Sequence, residues 1–312
     1  MPQPRTIVVS GATGLIGSRL VDALVDRGDS VIRLVRQETL RQHKTVVPAG
    51  VRDEVWDPRQ GVLNPRVLEG VDGIVNLAGA SIGDRRWTTE YKEEILASRV
   101  AATHTITQAL LKTEEPAKVF LSGSASGFYG FPSHRVDETS PAGDTYLAHV
   151  CELWEQAARP AMARGTRLTS LRTGIVLSPH GGALKKLLLP LRFGVGGPLG
   201  SGDQVWSWIT LDDHIRALLF LLDDSRGWGP VNLVAPQAAT NKEITQACAR
   251  ALHRPSFMKV PGFALRMVLG EFADEILQGV EITPSVLVEL GFRFNHATVA
   301  DAVQWAFTNQ SG

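Results

Sequence analysis

Seven residues near the start of the chain, Gly11-Ala12-Thr13-Gly14-Leu15-Ile16-Gly17, limit the fold more than any other stretch. They follow directly on the apolar run Thr6-Ile7-Val8-Val9-Ser10, which reads as a buried strand. They open a segment in which Ile16, Leu20 and Leu24 recur every four residues, as on one face of a helix. A strand, a glycine turn and a helix in this order form the first unit of a dinucleotide-binding α/β domain. The first glycine permits the tight turn, the second lets backbone N–H groups approach a pyrophosphate, and the third lets helix and strand lie close together. The positive end of the helix adds to the attraction. No Walker-type lysine follows, which argues against a nucleoside triphosphate site. The plain alternative is a glycine turn that binds nothing.

The rest of the first half continues the alternation. Strands are expected at Ser30 to Val35, Gly73 to Leu77, Lys118 to Ser122 and Leu168 to Leu171, with helices around 89–111 and 146–164. This predicts a doubly wound α/β fold with a parallel sheet and right-handed crossovers. After Gly174 the pattern loosens. Residues 178–205 are rich in glycine and proline and read as loop, though the leucines at 184, 187, 188, 189 and 191 are too apolar for a linker. Helices are expected at 211–222 and 241–252 and a strand at Val231 to Val234. The reading is therefore a dinucleotide-binding unit of residues 1–174 and about 205–230, with a smaller substrate-binding unit of about 175–204 and 231–312.

With 312 residues the chain can bury a full core without disulfide or metal staples. Its 32 basic and 32 acidic residues balance, which argues against a nucleic-acid protein. No apolar run has the length of a membrane span, and the N-terminus shows no secretory leader, so a cytoplasmic protein without membrane partners is expected. Two cysteines make no disulfide framework, and the eight histidines are scattered, so no metal site is expected.

The second strand ends Arg33-Leu34-Val35-Arg36 with no acid at its tip. An NAD site places Asp or Glu there for the ribose 2′-hydroxyl, whereas a guanidinium pairs with a 2′-phosphate. Arg33 and Arg36 therefore favour NADP(H) over NAD(H), although Glu38 is near and Arg36 has the alternative of a solvated strand-end charge. Asp57, after the third strand, is a candidate acceptor for the adenine amino group. Leu77, Ala78 and Gly79, in the run Asn76 to Ala80 that ends the fourth strand, are expected beside the pyrophosphate and ribose, where small residues let a cofactor lie flat.

These features resemble the short-chain dehydrogenase/reductase superfamily in its extended branch of nucleotide-sugar epimerases and dehydratases. More closely, the chain resembles the atypical SDR39U1-like epimerase family. The resemblance rests on Leu77-Ala78-Gly79-Ala80-Ser81-Ile82, Arg86-Trp87, Ser98-Arg99, Cys151 through Trp154-Glu155, and Leu171-Arg172-Thr173-Gly174. It continues through Gly181-Gly182-Ala183-Leu184, Trp206-Ser207-Trp208-Ile209 and the tail Gly291-Phe292-Arg293-Phe294. It covers almost the whole chain and implies a small C-terminal domain and an epimerase or oxidoreductase activity. It also implies a serine, a tyrosine as general acid or base, and a lysine four residues later that lowers the tyrosine pKa and holds the nicotinamide ribose. Ser124 and Tyr146 match the first two, but Val150 stands where the lysine is expected. Two functions remain open: an enzyme on a small hydroxylated substrate, or a cofactor-binding sensor that has lost proton transfer.

On the substrate side, Tyr129 matches a rim residue of extended relatives, and Arg172 and Lys185 lie where such relatives bind a nucleoside diphosphate. An anionic or nucleotide-linked substrate follows from that resemblance. Trp208 offers an aromatic face for stacking or simply fills the core. The helices around 90–110 and 146–164 match the surface through which extended relatives dimerise.

Overall fold

The computed structural model describes residues 4–42 and 47–308. Strand β1 (Thr6–Ser10) leads through the glycine turn into helix α1 (Leu15–Asp26), then β2 (Ser30–Val35), the short α2 (Gln37–Gln42) and β3 (Val51–Val55). The chain crosses back to β4 (Gly73–Asn76), α3 (Thr89–Leu110), β5 (Val119–Ala125), α4 (Tyr146–Ala158) and β6 (Arg167–Thr173). These strands pair in parallel in one seven-stranded sheet, ordered from β3 through β2, β1, β4 and β5 to β6. The order reverses between β1 and β4, the switch point outside which ligands of open α/β sheets bind.

Both faces of the sheet's centre are covered, so β1 and β4 are largely apolar, whereas the edge strand β3 carries Arg52, Asp53 and Glu54. Ile7, Val9, Val75 and Leu121 point to one side against Leu20 and Leu24 of α1. Val8, Ile74 and Phe120 point to the other, against Ile106 and Leu110 of α3. Leu110, in the last turn of α3, is fully buried in the chain's own core.

Three expectations need correction. The glycine-rich stretch is not all loop. After β7 (Ile175–Ser178) it forms α5 (Gly182–Arg192), whose Leu184, Leu187, Leu188 and Leu191 bury one face at helical spacing despite Pro190 in its last turn. The short strands β8 (Val205–Trp206) and β9 (Trp208–Thr210) and helix α6 (Leu211–Asp223) follow. Next, β10 (Gly229–Leu233) pairs with β6 and completes the large sheet as its seventh strand. The boundary near 230 therefore moves beyond Leu233, because backbone hydrogen bonds tie 231–233 to the larger unit. Third, the smaller unit contains β11 (Ala239–Thr240), α7 (Asn241–Ala251), α8 (Gly262–Leu269), α9 (Phe272–Leu277), α10 (Ser285–Glu289) and α11 (Val299–Thr308), but not all of it stands apart. Leu287 and Phe292 join the core beneath the sheet.

Candidate active site

Each glycine of the turn has a steric reason. Gly11 has φ +67°, and a Cβ there would come 2.6 Å from the Leu77 carbonyl oxygen. A Cβ at Gly17 would overlap the Gly11 carbonyl. Gly14 caps α1 in extended conformation with no side chain bonded to the first turn, so the N–H groups of Leu15 and Ile16 carry no side-chain partner. Thr13 and Gly14 are exposed on the same turn. This narrow cradle, open only to backbone, is what a pyrophosphate requires, so the residues present fit a dinucleotide. Leu77, Ala78 and Gly79 follow β4 across the switch point, and the Leu77 N–H donates to the Ser10 carbonyl at 3.3 Å.

The two strand-two arginines part company. Arg33 is held bidentately by Asp53 of β3, at 2.6 and 2.8 Å, directly across the sheet register. It is therefore a sheet ion pair and not a free phosphate ligand. Arg36 stands past the tip of β2, exposed, with no ion pair among the described residues. Asp57 uses Oδ1 to accept from the N–H groups of Arg59 and Gln60 at 2.9 and 3.3 Å, closing its own turn. That commitment weakens it as an adenine acceptor.

The proposed catalytic pair does not form a hydrogen-bonded couple. Ser124 Oγ donates to Glu155 Oε1 at 2.7 Å, in a buried network. Arg172 binds the same carboxylate with Nε and Nη2 at 2.9 and 3.1 Å and donates from Nη1 to the Tyr129 hydroxyl at 3.0 Å. Tyr129 in turn donates to Asn232 Oδ1 at 2.7 Å. Arg172 is thus a buried ion-pair partner, stacked 3.4 Å from the Phe128 ring, and is not available to a substrate anion. Burial pushes the Tyr129 phenol up to about 12. Tyr146 opens α4 and donates to the Lys92 carbonyl, with its ring edge-on to Trp87 at 5.4 Å. Burial pushes its phenol up to about 12 against the opposing field of Arg99. Val150, in the lysine position, is 1% exposed among Trp87, Tyr91 and Ile95.

A cleft of about 930 Å³ opens between the loop after β5 and helix α9, lined by Trp87, Tyr129, His134, Tyr146, Asp274 and Glu275 among others. Its acids also include Asp144 and Glu271. Two of the acids carry cationic partners at the rim: Lys92 pairs with Glu271 at 2.7 Å and stands 4.8 Å from the Tyr146 ring centroid, and Arg266 pairs with Asp274 at 2.9 Å. Lys185 lies exposed on α5 outside the cleft. Burial, reinforced by Asp274, pushes the Glu275 carboxyl up to about 7. Trp208 is fully buried in the core of the smaller unit and offers no face to a ligand. Sequence reasoning quoted Glu155 and Arg99 only within motifs, without a role, and did not single out Glu275. Their signals are weak, since Glu155 and Glu275 sit on helices where a carboxylate is usually solvated.

Residues 7–233 match the model of the NAD-dependent epimerase/dehydratase family. The chain belongs to that family. Residues 260–306 match a second model, a domain of unknown function (DUF1731). Among curated members, an epimerase family protein of Mycobacterium bovis, Mb2239, is 40% identical over 97% of each chain. One from Staphylococcus aureus, SAR0825, is 32% identical over 95% of this chain and 97% of its own. The human epimerase family protein SDR39U1, solved with NADPH, superposes with a TM-score of 0.87 at 31% identity, over 97% of this chain and 99% of that one. The family resemblance read from the sequence therefore holds, together with its α/β fold and nucleotide-binding first unit. Among the described residues, no helix is long and apolar enough to cross a membrane.

One further group of possible metal ligands, Asp212, Asp213 and His296, brings its donor atoms within 4.8 Å of one another. Asp213 is already engaged there by the N–H groups of Asn295 and His296, both at 2.8 Å, and by Arg216 at 2.6 Å. The cluster fastens the tail to α6.

Proposed function

We propose that the protein binds NADP(H) at the Gly11–Gly17 turn and reduces the carbonyl of a small, uncharged, hydroxylated substrate in the cleft. The observation that carries this reading is that Tyr146, with its phenol held protonated, lines a cleft at the carboxyl edge of the sheet that bears the glycine turn. Exposed Arg36, with no acid at the strand tip, supports the phosphorylated cofactor, as does the NADPH in the human relative. With Glu271 paired to Lys92, Asp274 to Arg266 and the Glu275 carboxyl pushed up to about 7, the wall is largely neutralised, which suits an uncharged substrate.

The bound cofactor would supply a hydride to the substrate carbon. With a pKa of about 12, Tyr146 is a phenol in all but about 1 in 100,000 molecules at pH 7. As a phenol it turns from the Lys92 carbonyl to donate to the substrate carbonyl oxygen. As the C–H bond forms, the C=O π pair moves onto that oxygen, which takes the tyrosine proton to give the alcohol. The phenolate is then reprotonated from water in the cleft. A donor role needs the protonated phenol, which Tyr146 keeps at neutral pH without the lysine that Val150 replaces, but a nearby cation still aids the transfer by stabilising the phenolate it leaves.

The reading is tested by following NADPH absorbance with a panel of hydroxyaldehydes and hydroxyketones. Wild type should oxidise NADPH, and Tyr146→Phe should do so about 100-fold more slowly. Buried Val150 favours a second reading, a cofactor-binding regulator without turnover. Tight NADPH binding with no oxidation across the panel would favour it.

A further inference from the structure

Residues 146, 150 and 154 share one face of α4, spaced a turn apart. Helix α3 runs against that face and carries Arg99, whose guanidinium lies 5.2 Å from the Trp154 ring centroid. Among the described residues Arg99 has no carboxylate partner, and of its five N–H groups one is used there, Nη1 donating to the Ile95 carbonyl at 3.0 Å. A guanidinium drawn out of water without a counter-charge is costly unless something else fills its donors.

The surroundings hold this cation in place. Gly79, just past β4, makes room for it, since a Cβ there would stand 3.1 Å from Arg99 Cγ and 3.5 Å from Nη1. Trp154 beneath it fits only because Gly123 has no side chain, and its indole N–H donates to Thr103 Oγ1 at 2.8 Å. Thr103 accepts from Asn76 Nδ2 at 2.8 Å, and Ser10 Oγ donates to Asn76 Oδ1 at 2.5 Å. The support therefore runs from the carboxyl ends of β1 and β4 to the arginine. The neighbouring Ser98 Oγ accepts from the Ala80 N–H at 3.0 Å and pins the β4–α3 loop over the same spot.

We infer that Arg99 is the cation of this site: reaching across from α3 to the place that Val150 leaves without charge, it binds the nicotinamide-side ribose and phosphate of the dinucleotide. This rests on the NADP(H) reading above. Its electrostatic reach includes Tyr146 and Cys151, so the same charge steadies the phenolate left after proton donation. Substitution of lysine by valine on α4 then removes a side chain, while the positive charge is delivered from the opposite helix.

The test uses two probes on the full chain, titrated calorimetrically: NADPH, and adenosine 2′,5′-bisphosphate, which lacks the nicotinamide half. Arg99→Met should weaken NADPH by about tenfold or more while leaving the bisphosphate within about twofold, and Arg99→Lys should recover part of the loss. Arg36→Ala should weaken both probes. If Arg99→Met fails to fold in thermal melts, Arg99→Gln is read in the same way. Unchanged NADPH affinity, or an equal loss on both probes by a folded variant, overturns the assignment of Arg99 while the cofactor site stands. Failure of wild type to bind either probe overturns the cofactor reading itself, and the assignment with it.

Discussion

Arg172 of β6 and Glu155 of α4 form a bidentate ion pair beneath the carboxyl edge of the sheet, with both side chains under a tenth exposed. The pair also fixes Ser124, whose hydroxyl points to the same carboxylate, and joins the sheet through Tyr129 and Asn232 to the carbonyl of Thr283. A site thus braced is rigid before any ligand arrives.

Removing one side of such a pair leaves a buried charge without its partner. Glu155→Gln should lower unfolding stability by about 3–5 kcal/mol, measured by denaturant titration. Ser124→Ala removes one hydrogen bond and should cost about 1 kcal/mol. A loss for Glu155→Gln no larger than that for Ser124→Ala would mean that the network is not what holds α4 to β6.

Gly17→Ala places a methyl group against the Gly11 carbonyl, where backbone on both sides cannot yield without opening the turn. The expected cost is about 1–3 kcal/mol, together with a large loss of NADPH affinity. Differential scanning calorimetry with and without NADPH separates the two effects. A variant that melts like wild type and keeps the ligand-induced shift would contradict the steric account.

The arginines of strand two should separate cleanly. Arg36→Ala should cost about 1.5–3 kcal/mol of NADPH binding and leave NADH binding almost unchanged, as read by calorimetry. Arg33→Ala breaks the pair with Asp53, so it should lower stability and leave the ratio of the two cofactors alone. The opposite pattern would put Arg33 at the phosphate.

Glu275 gives the cleft a pH dependence. Its folded pKa of about 7 lies above the ordinary value of 4.5 for glutamate. The folded state therefore holds this proton more tightly than the unfolded chain does. The resulting stability is complete below about pH 4.5 and is lost as pH rises through about 7. Glu275→Gln should abolish that slope and gain on the order of 2 kcal/mol relative to wild type at pH 8, after allowance for water in the cleft. Melting curves across this range for both proteins would show it, and parallel curves would count against a buried acid at this position.

Local chemistry made most of the fold legible. Alternating apolar runs and helical periodicity marked the central strands and the long helices because those strands are buried on both faces and each such helix on one. The glycine turn was legible because close backbone approach excludes every other residue at Gly11 and Gly17. Helix α5 was obscured because glycines crowd both its ends, although Leu184, Leu187, Leu188 and Leu191 stand at helical spacing and are buried on the side of α7.

The chemistry of the site followed a different rule. From residue types alone, Arg33 and Arg36 both offered a charge near the end of strand two, Trp208 was either a stacking face or core, and Arg99 was one residue in a motif; Arg172 was a substrate cation by resemblance. Their roles depend on which opposite charge or ring the chain brings within a few ångströms, from segments tens of residues away. Asp53 claims Arg33, Glu155 claims Arg172, and the core encloses Trp208. Among the described residues Arg99 is left with a ring and one carbonyl. The sequence by itself determined the backbone cradle, because sterics between near neighbours dictate it. Only the tertiary structure decided which charges are already neutralised and which are free, because pairing energies depend on distance and burial, which no local pattern records.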